Sequence, residues 1–162
     1  IYADAQSKPE VGVAEVEKMN EAGAAAIVGA YASAICLATT QAAAKHNIPH
    51  VVDVGVADQI VERGLKNTFR FSPGYRLIAT DAINNLHIMN RRAGSPASTV
   101  MIIHEQSLFA TGTANLLSQQ LPGLRYKVVD VVKHANPTRD FNNIVLRMKS
   151  LNPDIVIPAN YY

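Results

Sequence analysis

Several residue types and patterns are scarce in this chain of 162 residues. It contains one cysteine, Cys36, and no tryptophan, so it has neither an internal disulfide nor a cluster of thiolate metal ligands. No run approaches the roughly 18 apolar residues that a membrane-spanning helix needs, and no charged-then-apolar targeting segment opens the chain. The 15 basic and 13 acidic residues are spread along the sequence. Without a basic stripe, nucleic acid is not an expected partner.

The motifs of common enzymes and cofactor sites are missing as well. Neither the Gly-x-Gly-x-x-Gly nor the Gly-x-x-x-x-Gly-Lys-Ser/Thr fingerprint occurs, which argues against a dinucleotide or a nucleoside triphosphate. The Gly-x-Ser-x-Gly motif is also absent. The five histidines are scattered, and the one pair at His-x-x-x-His spacing, His46 and His50, has Pro49 inside it, which does not suit a helix that would present both rings on one face. We therefore predict no catalytic group, no metal site and no cofactor. Cys36 is surrounded by apolar residues, and we expect an inert, packed thiol rather than a nucleophile.

Segments typical of strands and helices alternate along the chain. In the clearest unit, the apolar run Ala24–Gly29 predicts a buried strand, Ser33 is the expected N-cap of a helix that reaches about His46, and His50–Val54 predicts a second strand. This alternation is typical of an α/β fold with parallel sheets and right-handed crossovers. Further helices are expected from a capping box at Ser7 and Glu10 to Gly23, and over residues 75–92, 107–121 and 138–151, where Thr138 is the expected cap; further strands are expected at 68–71, 99–104, 125–132 and 154–158.

The triplet Ser72-Pro73-Gly74 is the strongest interruption in the middle of the chain. We interpret it as a boundary between two parts, residues 1–72 and 73–162. The helix that follows it carries Ile78, Ala82, Leu86 and Met89 on one apolar face.

The unit around Ser33 also has a chemical implication. The carboxyl end of a parallel sheet forms a crevice, and here a hydroxyl and the N–H groups at the start of a helix lie at that crevice. Such groups attract an anion. Because the nucleotide fingerprints are missing, a small carboxylate is the expected ligand.

Segments that span nearly the whole chain resemble a known family. In order, these segments are Tyr2–Glu10, Ala26–Ser33, Asn47–Val52, Thr68–Pro73, Met101–Glu105, Phe109–Gly112 and Asn152–Tyr162. They resemble the type I periplasmic binding proteins of ABC importers, in the branch of the leucine/isoleucine/valine receptors. The resemblance implies two Rossmann-like lobes that close on a ligand, with residues 1–72 in lobe one and 73–162 in lobe two. It also implies that the receptor is incomplete at both ends of this sequence.

The resemblance implies ligand-binding positions in the first lobe, in the turn and loop that hold the ligand carboxylate. These positions are Tyr31, Ser33, Ala34, Val54, Gly55 and Val56. The family often has a threonine where Val56 stands, so backbone N–H groups are expected to bind the carboxylate there. Ser33 could instead cap the helix, or it could both cap the helix and contact the ligand.

In the second lobe, the positions that press onto the ligand in the family match Tyr75, Phe109 and Tyr161. Phe109 replaces a frequent tyrosine, which favours a branched or aromatic carboxylate. The alternative is that these three rings pack in the core or at the lobe interface without contacting a ligand. Arg76 lies beside these positions and is either a ligand-facing cation or a solvated helix charge.

The resemblance implies a periplasmic receptor, its signal peptide removed, that delivers an amino acid or related carboxylate to a membrane permease without chemistry. A ligand-sensing regulator with the same fold and a doubly wound enzyme remain alternatives. Because an incomplete parallel sheet has open edges, self-association through strand pairing is a further hypothesis.

Overall fold

Helices and parallel strands alternate throughout residues 1–161, which the computed structural model describes. The chain divides into two units, Ile1–Tyr75 and the part from Arg76 onward. The break falls three residues beyond the predicted boundary, because Tyr75 is bonded into the first unit. Its N–H donates to the Val56 carbonyl at 2.7 Å and its hydroxyl donates to Gln59 Oε1 at 3.0 Å. None of the helices in the described residues is both long and apolar enough to cross a bilayer.

The first unit contains three short parallel strands in the spatial order β1-β2-β3. In register, Ile27 pairs with His50, and His50 pairs with Thr68. Its buried cluster joins Val16, Ile27 and Ile48 to two alanines of a helix, so the sheet packs against helices as the apolar pattern predicts. The elements are α1 (Pro9–Glu21), β1 (Ile27–Val28), α2 (Ser33–Lys45), β2 (His50–Val52), α3 (Gln59–Glu62) and β3 (Thr68–Arg70).

The second unit has longer strands, also parallel, in the order β5-β4-β6, with β4 central. Val100 pairs with Val128 on one side and with Ile155 on the other. Val100, Ile102 and Leu117 belong to its fully buried core. The elements are α4 (Tyr75–Arg92, which begins at the last residue of the first unit), β4 (Thr99–Glu105), α5 (Leu108–Gln120), a 3₁₀ turn (Leu121–Leu124), β5 (Lys127–His134), α6 (Asn142–Leu151) and β6 (Ile155–Ala159).

Three predicted N-caps are wrong, and two of them, Ser7 and Thr138, belong to turns. Ser7 has a φ of 56° and belongs to a left-handed turn, so Lys8 is the N-cap of α1 and the expected capping box does not form. Thr138 uses its hydroxyl to donate to the Ala135 carbonyl in the preceding loop. Helix α6 therefore begins four residues later, after Phe141. Both cases reflect the fact that capping residues also stabilise turns.

The expected apolar face of α4 is not the buried one. Ala79 and Ile83 are each 3% exposed and pack into the core, whereas Ile78 is 44% exposed and Met89 is 67% exposed. Large apolar residues occur on more than one side of this helix, so periodicity alone does not identify the packed face.

Candidate functional site

The two loops predicted to hold a carboxylate lie side by side at the carboxyl edge of the first sheet. The loop after β1 and the loop after β2 are joined by the Gly55 N–H, which donates to the Ala30 carbonyl at 3.2 Å. A second link is formed by the Ala57 N–H, which donates to the Ser33 hydroxyl oxygen at 3.2 Å. Parallel strands place their carboxyl ends at one edge, and these hydrogen bonds fix the two loops to each other there.

Ser33 does not cap α2 as predicted. Ala32 is the N-cap, with extended backbone angles of φ −78° and ψ 130°, and Ser33 is the first helical residue. Its side chain is 1% exposed, and its hydroxyl oxygen accepts the Ala57 N–H from the loop after β2. The hydroxyl therefore joins the two loops, and the ligand contact implied for Ser33 stays a prediction.

The backbone N–H groups of the two loops differ in what they bind. The Val54 N–H donates to the Asp53 carboxylate at 3.0 Å, and the Gly55 N–H is bonded to Ala30. Within the described residues, the N–H groups of Ala34 and Val56 have no hydrogen-bond partner. Ala34 lies in the first turn of α2, where N–H groups lack helical partners and the helix dipole favours an anion. These two N–H groups are available to an oxyanion.

Cys36 lies directly beneath this edge. Its thiol donates to the Ala30 carbonyl at 2.9 Å, and its side chain is fully buried. Burial raises the pKa of the Cys36 thiol, and the charge of Asp53 adds to this effect, which the backbone hydrogen bonds oppose. The group is thus held as a neutral thiol, the form in which it donates this hydrogen bond.

Arg70 supports the second loop from within the unit. Its guanidinium donates to the carbonyls of Val56 at 3.1 Å and Ala57 at 2.9 Å, and to Asp58 Oδ1 at 3.3 Å. The Arg70 and Asp58 side chains are 11% and 10% exposed. A Cβ on Gly74 would lie 1.8 Å from Asp58 Oδ1, so only glycine leaves room for this pair. No local sequence pattern identifies Arg70, because its partners lie 12 to 14 residues away.

In the second unit, two predicted site residues lie together at the carboxyl edge of the sheet. The Phe109 and Tyr161 rings have centroids 5.2 Å apart and are tilted by 39°. Phe109 is in the first turn of α5, which Ser107 caps by accepting the Ala110 N–H at 3.1 Å. Tyr161 follows the end of β6. The pair forms a half-buried aromatic surface beside the strand ends.

Beside this aromatic pair lie polar groups to which sequence reasoning assigned no role. Glu105, at the end of β4, is 2% exposed, and its Oε2 accepts the Asn136 amide at 2.9 Å. Its Oε1 is buried without a hydrogen-bond partner among the described residues. His134 Nε2 lies 3.1 Å from Asn160 Oδ1. The sequence signal that could have identified Glu105 and His134 is their position at the ends of predicted strands, because polar residues collect at the carboxyl ends of parallel strands.

The predicted site residues are divided between the two units. Tyr31 and Val54 are exposed, at 55% and 41%. The first unit holds Tyr31, Ser33, Ala34, Val54, Gly55, Val56 and also Tyr75, which was expected in the second lobe; the second unit holds Arg76, Phe109 and Tyr161. In residues 1–161, no three His, Cys, Asp or Glu side chains group in a way that could hold a metal ion.

The fold and these strand-end loops match a family of binding proteins. The periplasmic binding protein family model matches residues 1–161, and the chain belongs to that family. Its members are substrate-binding receptors and not enzymes. A curated relative, Leu/Ile/Val-binding protein homolog 8 of Brucella abortus (strain 2308), is 28% identical over 142 residues. These cover 86% of this chain but 35% of that relative, so the chain spans about a third of its length.

Solved structures confirm the predicted fold class, the type I periplasmic binding protein fold. An amino acid ABC transporter substrate-binding protein from Pseudomonas fluorescens Pf-5 aligns with a TM-score of 0.86 and 18% identity, over 98% of this chain and 42% of that one. A solute-binding protein of an ABC transporter from R. palustris, in complex with benzoate, aligns with a TM-score of 0.80 and 20% identity, over 99% and 43%. At these identities the likeness establishes the fold.

Proposed function

We propose that this chain is part of an extracytoplasmic solute receptor of an ABC importer that binds an amino acid or a related branched or aromatic carboxylate. The observation that carries the proposal is the pair of N–H groups, of Ala34 and Val56, that lack partners beside the start of α2. A carboxylate accepts such hydrogen bonds and is favoured by the helix dipole. With valine at position 56, backbone groups replace the threonine hydroxyl frequent in the family.

The aromatic surface of Phe109 and Tyr161 supports the choice of ligand class. Two half-buried rings provide apolar contact to a branched or aromatic side chain. The curated relative is named for leucine, isoleucine and valine, and one solved neighbour carries benzoate. In this proposal the first unit belongs to lobe one and the second to lobe two.

By this proposal the receptor works in the periplasm, after removal of a signal peptide, and passes its ligand to a membrane permease. Binding is reversible and includes no covalent step. The buried, neutral Cys36 thiol agrees with this, because it is held in its unreactive form.

The test uses proline to remove one N–H group without removing a helical hydrogen bond. Ala34 is the second residue of α2, so Ala34→Pro deletes a proposed ligand donor in a first turn, where proline is tolerated. Titration calorimetry with leucine and with benzoate should show saturable binding of at least one of them. The variant should weaken that binding about tenfold or more, the usual effect of losing a hydrogen bond to a charged group.

The matched control is Asn143→Pro, at the same position of α6 in the second unit, where no carboxylate-binding N–H group is proposed. It should bind like the unmodified protein, and thermal unfolding of both variants reports any loss of fold. Equal affinity in Ala34→Pro would overturn the role of this N–H group. If neither probe binds, native mass spectrometry of the purified protein identifies a retained carboxylate, and the absence of any bound carboxylate would contradict the receptor proposal.

A further inference from the structure

A cavity of about 620 Å³ lies at the opposite edge of the second sheet, away from Phe109 and Tyr161. Its walls come from the end of α4 and from the residues that precede β4 and β5, including Ser98 and Arg125. These are the amino ends of the strands, whereas the candidate site lies at their carboxyl ends. Its volume is typical of small-molecule sites, roughly 300 to 1,000 Å³. All of its lining residues belong to the second unit.

Two arginines give the cavity a positive charge. Arg91, from the last turn of α4, and Arg125, which follows the 3₁₀ turn, both line it. Within residues 1–161, neither guanidinium has an ion pair or a hydrogen bond with a carboxylate. Asp154 contacts the lining residue Ser98, but its Oδ2 is occupied by the N–H groups of Ser98 and Thr99, each at 2.8 Å. The Asp154 carboxylate keeps its charge, but among the described residues it forms no ion pair with either arginine, so the two guanidinium groups in the wall have no carboxylate partner.

Two buried polar atoms belong to the side chains of the same cavity wall. Tyr126 is 3% exposed, and its hydroxyl has no hydrogen-bond partner in the part of the chain that is described. Nδ1 of His87 is likewise buried without a hydrogen-bond partner among the described residues. The two rings meet edge to face, with centroids 6.0 Å apart and an interplanar angle of 87°. Because buried polar atoms are nearly always paired, a small side-chain movement in this wall would let these two atoms bond to water or to a polar group of an occupant.

We propose that this cavity binds a small organic molecule that carries a phosphate group. Arg91 and Arg125 would hold the phosphate, since the planar guanidinium fork matches phosphate oxygens. A phosphate monoester carries about −1.5 to −2 charges at pH 7, which balances two guanidinium groups better than a monocarboxylate does. The organic part would lie against Tyr126, His87 and Leu124. This site is independent of the receptor function proposed above.

The probes are phenyl phosphate, phenyl sulfate and inorganic phosphate, titrated at constant ionic strength by calorimetry or by NMR. Phenyl sulfate has the shape of phenyl phosphate but one charge fewer, so it tests the requirement for a dianion. We expect phenyl phosphate to bind more tightly than phenyl sulfate. The Arg91→Gln/Arg125→Gln variant should reduce its affinity at least tenfold, because two charged donors are lost.

The control variant is Arg139→Gln, which removes an exposed arginine from a loop that does not line the cavity. It should bind phenyl phosphate normally. Tyr126→Phe removes only the buried hydroxyl and should lower affinity severalfold while the protein remains folded by circular dichroism.

Equal binding of inorganic phosphate and phenyl phosphate would overturn the organic part of the proposal and identify a simple phosphate site. Saturable binding that the double arginine variant leaves unchanged would place the anion elsewhere and overturn the site. Failure of all three probes to bind folded protein would also overturn it. Leucine or benzoate binding is unaffected by any of these outcomes, so the two proposals are tested separately.

Discussion

Gly55 and Cys36 approach so closely that a Cβ on Gly55 would lie 2.4 Å from the Cys36 sulfur. It would also lie 3.2 Å from Val52 Cγ1. Cys36 is fixed on α2, and its thiol is bonded to the Ala30 carbonyl. The absence of a side chain at position 55 thus allows the loop after β2 to lie against α2, next to the two N–H groups proposed to bind a carboxylate.

We predict that Gly55→Ala lowers the free energy of unfolding by about 2 kcal/mol, within the range for overpacking a tight interior. Urea unfolding followed by circular dichroism measures this change. The control is Gly123→Ala, where a Cβ would meet nothing within 4 Å. It should leave stability unchanged or raise it by up to about 1 kcal/mol.

A double-mutant cycle tests whether Cys36 is the cause. Cys36→Ala removes the sulfur that the new methyl group would meet, so Gly55→Ala should cost clearly less in that background. An equal cost in both backgrounds would show that the loop is strained by another contact.

Arg70 carries a second prediction, because it donates to the Val56 and Ala57 carbonyls and to Asp58. Lysine retains the charge but lacks the planar fork that reaches three acceptors. We expect Arg70→Lys to lower the free energy of unfolding by about 2 kcal/mol and to weaken carboxylate binding by displacing the loop. The measurements are urea unfolding and titration calorimetry.

Arg147→Lys is the matched control for Arg70→Lys. Arg147 donates to Asp130 at 3.0 Å, and the Arg147 side chain is 60% exposed whereas that of Asp130 is 10% exposed. Because lysine at this exposed position keeps the charge beside Asp130 and Arg147 supports no loop carbonyl, this variant should change stability little. A comparable loss in both variants would mean that loop support by Arg70 is not the reason for its effect.

The alternation of elements was predictable because apolar runs, glycines and prolines mark it locally. The lengths of the strands were less predictable from the sequence, because a strand extends only as far as a neighbouring strand forms hydrogen bonds with it. Ala24–Gly29 predicts a six-residue strand, but pairing with β2 is limited to Ile27 and Val28. Helix starts at Ser7 and Thr138 were mispredicted because residues typical of N-caps also occur in turns: Ser7 has a left-handed backbone conformation, and the Thr138 hydroxyl donates to the Ala135 carbonyl.

The candidate site was predictable where it depends on the chain's local geometry. The turn before α2 follows directly from a strand end, so the residues alone place Ser33 at the predicted crevice. Val56, in the loop after β2, was proposed only through the resemblance to a family. Arg70 and Glu105 act through partners 12 or more residues away, at Asp58 and Asn136. Such contacts depend on packing, which one sequence does not reveal. The resemblance to a family supplied the aromatic positions Phe109 and Tyr161.

His50 predicts a pH dependence of stability. Its ring is 1% exposed, and Nε2–H donates to the Gly29 carbonyl at 2.9 Å. Burial lowers the pKa of His50 from its usual value of 6.5, against the opposing effect of this hydrogen bond. The unfolded state therefore binds more protons once the pH falls below about 6.5. We expect the free energy of unfolding to decrease from there toward more acidic pH.

The measurement is urea unfolding at several pH values between about 7 and 5. In His50→Gln the side-chain amide can still donate an N–H but does not titrate. The free energy of unfolding of this variant should therefore change less with pH than that of the unmodified protein. His46→Gln, which removes an exposed ring bonded to Glu17, should retain the His50 contribution. Identical slopes in the unmodified protein and His50→Gln would contradict the assignment.

Asp154 provides the last prediction, because it joins the starts of β4 and β6. Hydrogen bonds from the Ser98 N–H, the Thr99 hydroxyl and the Thr99 N–H hold the pKa of Asp154 at about 2, below its usual 3.8. Its stabilising effect is complete above 3.8 and is lost as the pH falls through about 2. The stability difference between the unmodified protein and Asp154→Asn should therefore shrink across that range.

Carbon NMR of the Asp154 carboxyl group should give a titration midpoint near 2. Thr99→Val should raise this midpoint, since one hydrogen-bond donor is lost. Thr113→Val, whose hydroxyl donates to the Phe109 carbonyl instead, should leave it unchanged. A midpoint near 3.8 in the unmodified protein would show that these hydrogen bonds do not persist in solution.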